Sequence, residues 1–486
     1  MGVDQRGNAV LGALLGELAW SPRSLAEAVN GLLGSGHVAR STVSDWLHHD
    51  RLPRGPLPTV VAHVISDSLG REVSLDELWS GRAAPAELWV PADAGVDLPW
   101  TPAGTVSMLD DWLAYPGGPI GMDRRCFLAV SGATLTAPAW AYADQLATRG
   151  GSFAALVDGG RTMTVTSTLV DSIAVTNAGM SALGDTEGGY EDTLRYVHHQ
   201  LTYIARLLRQ ARFATTGVAD RLLAEWARLS QLAGWLARDA GNFGLSQRYF
   251  TSGLHAAHTS GDRSVGVFLL GSMSSCAVYR GRLADGVDLG RAVRDAVELA
   301  NAAHEAARST PAPVRALAAD RFALAQAAAG NTRGFHAAAD EARALLDTPG
   351  ALDSLPPWLT FYGPGALEEN LAQGALTLAA VTSRDSRRLL DGAEMILGRT
   401  ATDATTNPRN AVYHAAWLAR AHVAAGDLDR AAPAGLTALR RLPTVRYRCW
   451  PLELRRLETD LAALPPTHRP AALRSLRDQL RATRAA

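Results

Sequence analysis

Apolar residues recur at helical spacing along almost the whole chain, and the breaks between runs carry helix caps and turn residues. Val10, Leu11, Leu14, Leu15 and Leu18 fall on one face of a helix from Asn8 to Ala19. Ser21-Pro22 offers an N-cap followed by a proline at the first helical position, and Leu25, Ala28, Val29, Leu32 and Leu33 form the next apolar face before Gly34 and Gly36. Ser41 caps a third, short helix through Leu47. A fourth runs from Leu57 to Leu69 on a stripe of Val60, Val61, Val64, Ile65 and Leu69, and Ser74 opens a last turn through Leu78. Residues 1–80 thus read as one compact helical unit.

Prolines and glycines then become dense over residues 81–121, which reads as a linker holding one short helix, Thr105 to Tyr115. From 122 to 486 the pattern is helix after helix, broken by Gly-Asp and Gly-Asn pairs. These breaks carry a repeat. In a helical hairpin, small residues are needed where the two helices cross and a turn residue between them. With Gly241 as the turn, Gly234 stands seven before it, Ser246 five after, Phe250 nine after and Gly253 twelve after. Gly426 gives Ala419, Ala431 and Ala438; Gly281 gives Ser274 and Gly286; Gly330 gives Ala323 and Ala342. The expected fold is all-α: an N-terminal helix-turn-helix domain followed by a degenerate solenoid of tetratricopeptide-like helical hairpins.

The chemistry of the N-terminal unit concentrates in Arg40-Ser41-Thr42-Val43-Ser44-Asp45-Trp46-Leu47 and the segment that follows. A recognition helix exposes short polar residues toward base edges while apolar residues lock it in place. Val43, Trp46 and Leu47 fit the buried role. Ser41, Thr42, Ser44 and Asp45 fit the groove-facing role, and Arg40, His48, His49, Arg51 and Arg54 are placed for phosphates.

Ser-Thr-Val-Ser-x-Trp-Leu at 41–47, a short Arg/Pro segment, a helix, and then Leu69-Gly70-Arg71-Glu72-Val73 and Glu77-Leu78 resemble the XRE-like DNA-binding domain of large actinobacterial regulators. The segments Trp100 to Thr105, Asp123 to Leu128, Ala233 to Gly241, Gln247 to Phe250 and Ala256 to Asp262 resemble the C-terminal half of the same family. The resemblance implies a cytoplasmic transcriptional regulator of development or secondary metabolism. Its expected partners are double-stranded DNA and a second copy of itself, since dimers match paired half-sites. Its repeats would serve dimerisation and the sensing of a peptide or small-molecule effector.

Charge complicates this expectation. Residues 1–80 hold six arginines against nine carboxylates, a balance of −3, whereas DNA affinity comes largely from neutralising phosphates. Asp45 could accept from a cytosine amino group but would repel phosphates. The whole chain carries −1 with arginine as its basic residue and no lysine, so no global positive field draws it to nucleic acid or anionic lipid. The competing expectation is a tetratricopeptide-like interaction scaffold whose helix-turn-helix is vestigial.

Other motifs point away from catalysis and cofactors. Cys126, Cys276 and Cys449 form no paired spacing for a disulfide framework or zinc site. His304-Glu305-Ala306-Ala307-Arg308 lacks the second histidine of a zinc-protease motif, and His255 and His258 lack a third ligand. There is no Gly-x-x-x-x-Gly-Lys, no Ser/His/Asp or Cys/His order, no signal-peptide pattern at the N-terminus and no long apolar run. Arg124-Arg125 followed by Cys126-Phe127-Leu128 reads as the start of a docking helix that buries Phe127, Leu128, Val130 and Leu135. The expectation is a protein that is not an enzyme, with no metal, cofactor or membrane span. Arg238, Asn242, Arg280, Asn370, Asn410 and Arg420 are the candidate ligand contacts of the repeat groove, because their side chains can grip amide or carboxylate groups.

Overall fold

The computed structural model describes residues 7–33, 38–49, 51–54, 57–69, 71, 73–83, 98–114, 129–145, 152–157, 163–186, 190–284, 287–382, 385–403, 407–445, 451–465 and 470–485. The chain is all-α, and the one strand pairing among the described residues is a two-residue parallel match of Thr164–Val165 with Arg212–Phe213.

Five helices build the N-terminal unit: α1 (Ala9–Glu17), α2 (Pro22–Leu33), α3 (Arg40–His48), α4 (Leu57–Leu69) and α5 (Leu75–Trp79). Their caps follow the residues. Asn8 Oδ1 accepts from Leu11 N, and Ser74 Oγ accepts from Glu77 N. Ser21 and Ser24 each accept from the other's backbone N–H, a capping box with serine at both ends. The unit has its own core around Leu11, Leu25, Val29, Val43, Trp46, Val60, Ile65 and Trp79. Two details differ from the sequence reading. Val10 turns outward, because the core takes only one face of α1. Ala39 occupies the cap position of α3, so Ser41 lies in the first turn rather than before it.

The helix expected inside the linker is α6 (Pro102–Ala114), and it is no mere connector. Trp100, Met108, Leu109 and Trp112 are buried in the main core, and Thr105 Oγ1 donates to the His255 carbonyl at 3.1 Å. Next come α7 (Ala133–Gln145), α8 (Phe153–Leu156), α9 (Ser167–Thr186) and α10 (Tyr190–Gln210). Leu135 is buried as expected, but Val130 is only half-buried and lies in a non-helical stretch before α7; the arginines and Phe127-Leu128 of the proposed docking helix lie outside the described residues.

Twelve helices then alternate: α11 (Thr216–Asp239), α12 (Phe243–Ser260), α13 (Arg263–Leu283), α14 (Leu289–Ala307), α15 (Ala312–Ala328), α16 (Thr332–Leu346), α17 (Pro364–Ala379), α18 (Ser386–Thr402), α19 (Pro408–Ala424), α20 (Leu428–Arg441), α21 (Leu452–Ala463) and α22 (Ala471–Ala485). Each odd-numbered helix packs on the even one that follows and also on the next odd one, so the odd helices form a continuous inner layer. This is a solenoid of helical hairpins. It curves until its ends meet: α13 touches α21, and Asp239 at the end of α11 pairs with Arg409 at the start of α19.

The hairpin turns explain the Gly-Asn and Gly-Asp pairs. Gly241, Gly330 and Gly426 have φ of 75, 71 and 73°, the left-handed region that glycine enters without a Cβ penalty. At each, the glycine N–H and the next N–H fold back onto the end of the finished helix, as in Asn242 N to Ala237 O and Asp427 N to His422 O. Asn242 and Asn331 then cap the following helix through their side chains. Gly281, expected as a fourth turn, lies within α13 instead. A Cβ there would sit 2.9 Å from Ala292 Cβ, so its smallness serves the crossing with α14.

Candidate functional site

In α3 the partition between buried and exposed residues follows the 100° step of the helix. Val43 and Trp46 are buried and Leu47 is half-buried. Arg40, Ser44, His48, Ser41 and Asp45 occupy one contiguous arc of about 140° on the outer side. Thr42 falls outside that arc, beside Trp46. His49, Arg51 and Arg54 follow the helix end and are exposed.

The framework holding this arc is specific. Asn30 at the end of α2 donates to the Val38 carbonyl and accepts from the Val38 N–H, both at 2.8 Å, which fixes how the chain enters α3. The Trp46 ring meets Trp79 edge-on with centroids 6.3 Å apart, and Trp79 Nε1 donates to the Pro58 carbonyl. Asn8 N donates to the Leu47 carbonyl while its side chain donates to Leu78 O. So α1, α3, α4 and α5 are tied together behind the exposed arc.

Of the five described arginines in residues 1–80, three are already engaged. Arg51 Nη1 pairs with Asp45 Oδ2 at 2.9 Å, Arg71 reaches Glu17 and Glu77, and Arg23 reaches Glu27. Asp45 is therefore partly neutralised, and Arg51 is not waiting for a phosphate. Among the described residues, Arg40 and Arg54 meet no carboxylate, which leaves them as the free cations flanking the arc.

The six residues expected in the repeat groove are only partly brought together. Arg238 and Arg420 belong to one array on the inner layer, where the two ends of the solenoid meet. The Arg238 guanidinium lies 3.7 Å from the Trp235 centroid and 4.4 Å from that of Tyr279. Tyr279 stacks on Tyr413 at 6.1 Å, and Tyr413 leans on Trp417 at 5.8 Å. Burial pushes the Asp239 carboxyl upward, and its pairs with Arg238 and Arg409 more than reverse this, so it stays ionised. Asn410 is one residue from Arg409 and its N–H is spent on the Asn407 cap.

The other three serve internal structure. Asn242 caps α12, and Asn370 donates to Asp320 Oδ2 at 2.8 Å. Arg280 donates to the Val130 carbonyl at 3.1 Å, securing the segment before α7. His255 and His258 pack against Trp100 at 4.3 and 6.0 Å, and His304 bonds Glu341. Among the described residues no group of histidine, cysteine and carboxylate side chains is gathered in a metal-holding arrangement. No described helix is long and apolar enough to cross a membrane.

Residue-by-residue reading missed Asp239, Tyr279, Arg282, Arg409 and Asp460. Their signal is weak but present: Tyr279 and Arg282 share a face of α13, as Tyr413, Trp417 and Arg420 do on α19.

A family model described as the SP15 N-terminal domain matches residues 11–79, a span that starts in α1 and ends at the last residue of α5. No curated protein matches the chain, and no solved structure does.

Proposed function

We propose that the chain is a DNA-binding transcriptional regulator of the XRE-like actinobacterial kind, with α3 as its recognition helix and tetratricopeptide-like repeats that dimerise it and sense an effector. The observation that carries this reading is the outer arc of α3. Short polar side chains and a free Arg40 face outward together, with Arg54 free beyond the helix end, over a framework that fixes the helix rigidly. Arg40 and Arg54 would hold phosphates, and Ser41, Ser44 and Asp45 would face base edges.

The scaffold reading keeps one observation in its favour, the internal pairing of Arg23, Arg51 and Arg71, which leaves few cations for a phosphate backbone. A gel-shift series with GC-rich genomic fragments, including the promoter of its own gene, separates the two. The regulator reading expects salt-sensitive binding that Arg40→Ala and Arg54→Ala each weaken about tenfold, with the salt slope reduced by about one ion per lost contact. Absence of salt-sensitive binding to any fragment would leave the scaffold reading standing.

A further inference from the structure

At the outer end of the inner array, three arginines surround one carboxylate. Arg420 Nε donates to Asp460 Oδ2 at 2.8 Å, and Arg456 Nε stands 3.3 Å from Asp460 Oδ1. Among the described residues Arg282 has no such partner. Its guanidinium lies 4.7 Å from the Trp417 centroid, with Arg420 at 5.6 Å from the same ring. The Nη1 atoms of both Arg282 and Arg420 are buried and find no hydrogen-bond acceptor among the described residues. Asp460 is already paired with Arg420, so Arg282 adds a positive charge that this carboxylate does not balance.

A buried guanidinium nitrogen without an acceptor is costly, and a like charge beside it adds to the cost. Burial and the neighbouring Arg420 together pull the Arg282 guanidinium down to about 9. An excess of buried positive charge with two unspent donors calls for an oxyanion, whose planar edge matches a guanidinium fork. Exposure rises outward from Arg420, 11% exposed, through Asp460 at 23% to Arg456 at 34%, so the cluster borders solvent on the Arg456 side.

We propose that Arg282 and Arg420, both set against the Trp417 ring, form a binding site for the carboxylate or phosphate group of a small-molecule effector. The site gives chemistry to the effector-sensing half of the proposed function, and stands or falls without DNA.

Calorimetric titration and thermal unfolding of the full chain, in low-chloride buffer without DNA, test it. Inorganic phosphate is one probe and benzoate, a planar carboxylate, the other; sodium chloride at matched ionic strength is the control. Saturable binding and a melting temperature raised by a few degrees are expected from at least one oxyanion beyond the salt control, and the stronger of the two identifies the class. Arg282→Met removes the uncompensated charge while keeping an apolar stem on Trp417. It should raise the melting temperature of the ligand-free protein and abolish the oxyanion response. Asp460→Asn removes the competing carboxylate and should tighten oxyanion binding about tenfold, a factor ordinary for one nearby charge. No response to either oxyanion, a response that survives Arg282→Met, or binding weakened by Asp460→Asn would overturn the proposal. None of these results bears on the gel shift, so the two readings fail separately.

Discussion

Gly234 has no side chain because a ring occupies the space where one would be. A Cβ at this position would lie 2.3 Å from Phe250 Cε1 and 2.6 Å from Cδ1, and Ser246 Oγ donates to the Gly234 carbonyl at 2.8 Å across the same crossing. Gly234→Ala should therefore destabilise the chain by about 1–3 kcal/mol, as overpacking does, read as a lowered urea midpoint. Phe250→Leu in the same chain should recover part of the loss, because the smaller side chain gives the methyl room; strictly additive costs would show that the contact is not the cause. This position was legible in the sequence, since the spacing of Gly234, Ser246, Phe250 and Gly253 around Gly241 repeats what two crossing helices require. The outer arc of α3 was legible for a similar reason, its period being local. The pairing of Arg51 with Asp45 was not, because it depends on how the chain turns after the helix ends. Nor was the gathering of Arg282 with Trp417 and Arg420, which joins helices more than a hundred residues apart through the curvature of the solenoid.

At the scale of elements, one two-residue device joins successive helices. Glycine closes the finished helix in a conformation other residues enter at a cost, and asparagine or aspartate opens the next. Its cost can be separated from packing by comparing two sites. Nothing lies within 4 Å of a Cβ built on Gly426, so Gly426→Ala should lose only the conformational term, about 1–2 kcal/mol. At Gly241 the new methyl would also meet both Leu452 methyl groups at 3.4 Å, where α21 closes on α11. That distance is ordinary van der Waals contact, which adds packing and not strain, so Gly241→Ala should cost less than Gly426→Ala, and asparagine at Gly426 should cost less than alanine there, since it tolerates the left-handed region. Equal losses at the two glycines in thermal unfolding would show that α21 does not pack on that turn. The same comparison explains why the sequence exposes the turns but not the closure: the turn is written in adjacent residues, whereas the closure depends on the accumulated rotation of five hairpins.

For the whole molecule, folding buries groups that would otherwise titrate in water, and this sets a pH dependence with opposing contributions. Burial drives the His198 imidazole down to about 3, helped by Arg248 and His199, and its Nδ1 rests 3.1 Å from the Tyr249 hydroxyl. Burial likewise drives His414 down to about 4 while Thr400 and Gln373 engage its two ring nitrogens. Both are depressed below an ordinary value of 6.5, so the stability they contribute is complete above pH 6.5 and is lost as pH falls through about 4 and then 3. Glu453 acts in the opposite sense. Burial, and then the nearby Asp239, push its carboxyl from 4.5 up to about 7 against the pull of Arg238. Its contribution is complete below pH 4.5 and is lost as pH rises through about 7, because the folded chain holds a proton that the unfolded chain has released. The cleanest check is a difference between variants, since other buried groups cancel from it. Melting temperatures of Glu453→Gln minus those of the unaltered chain should climb between pH 5 and pH 7.5 and then level off, as glutamine keeps the neutral form at every pH. The difference for His414→Gln should move the other way, with the variant losing less than the unaltered chain on acidification from pH 6.5 to 4. A flat difference curve for Glu453→Gln would mean that water reaches this carboxyl, and with it that α21 does not seal the inner layer against α11.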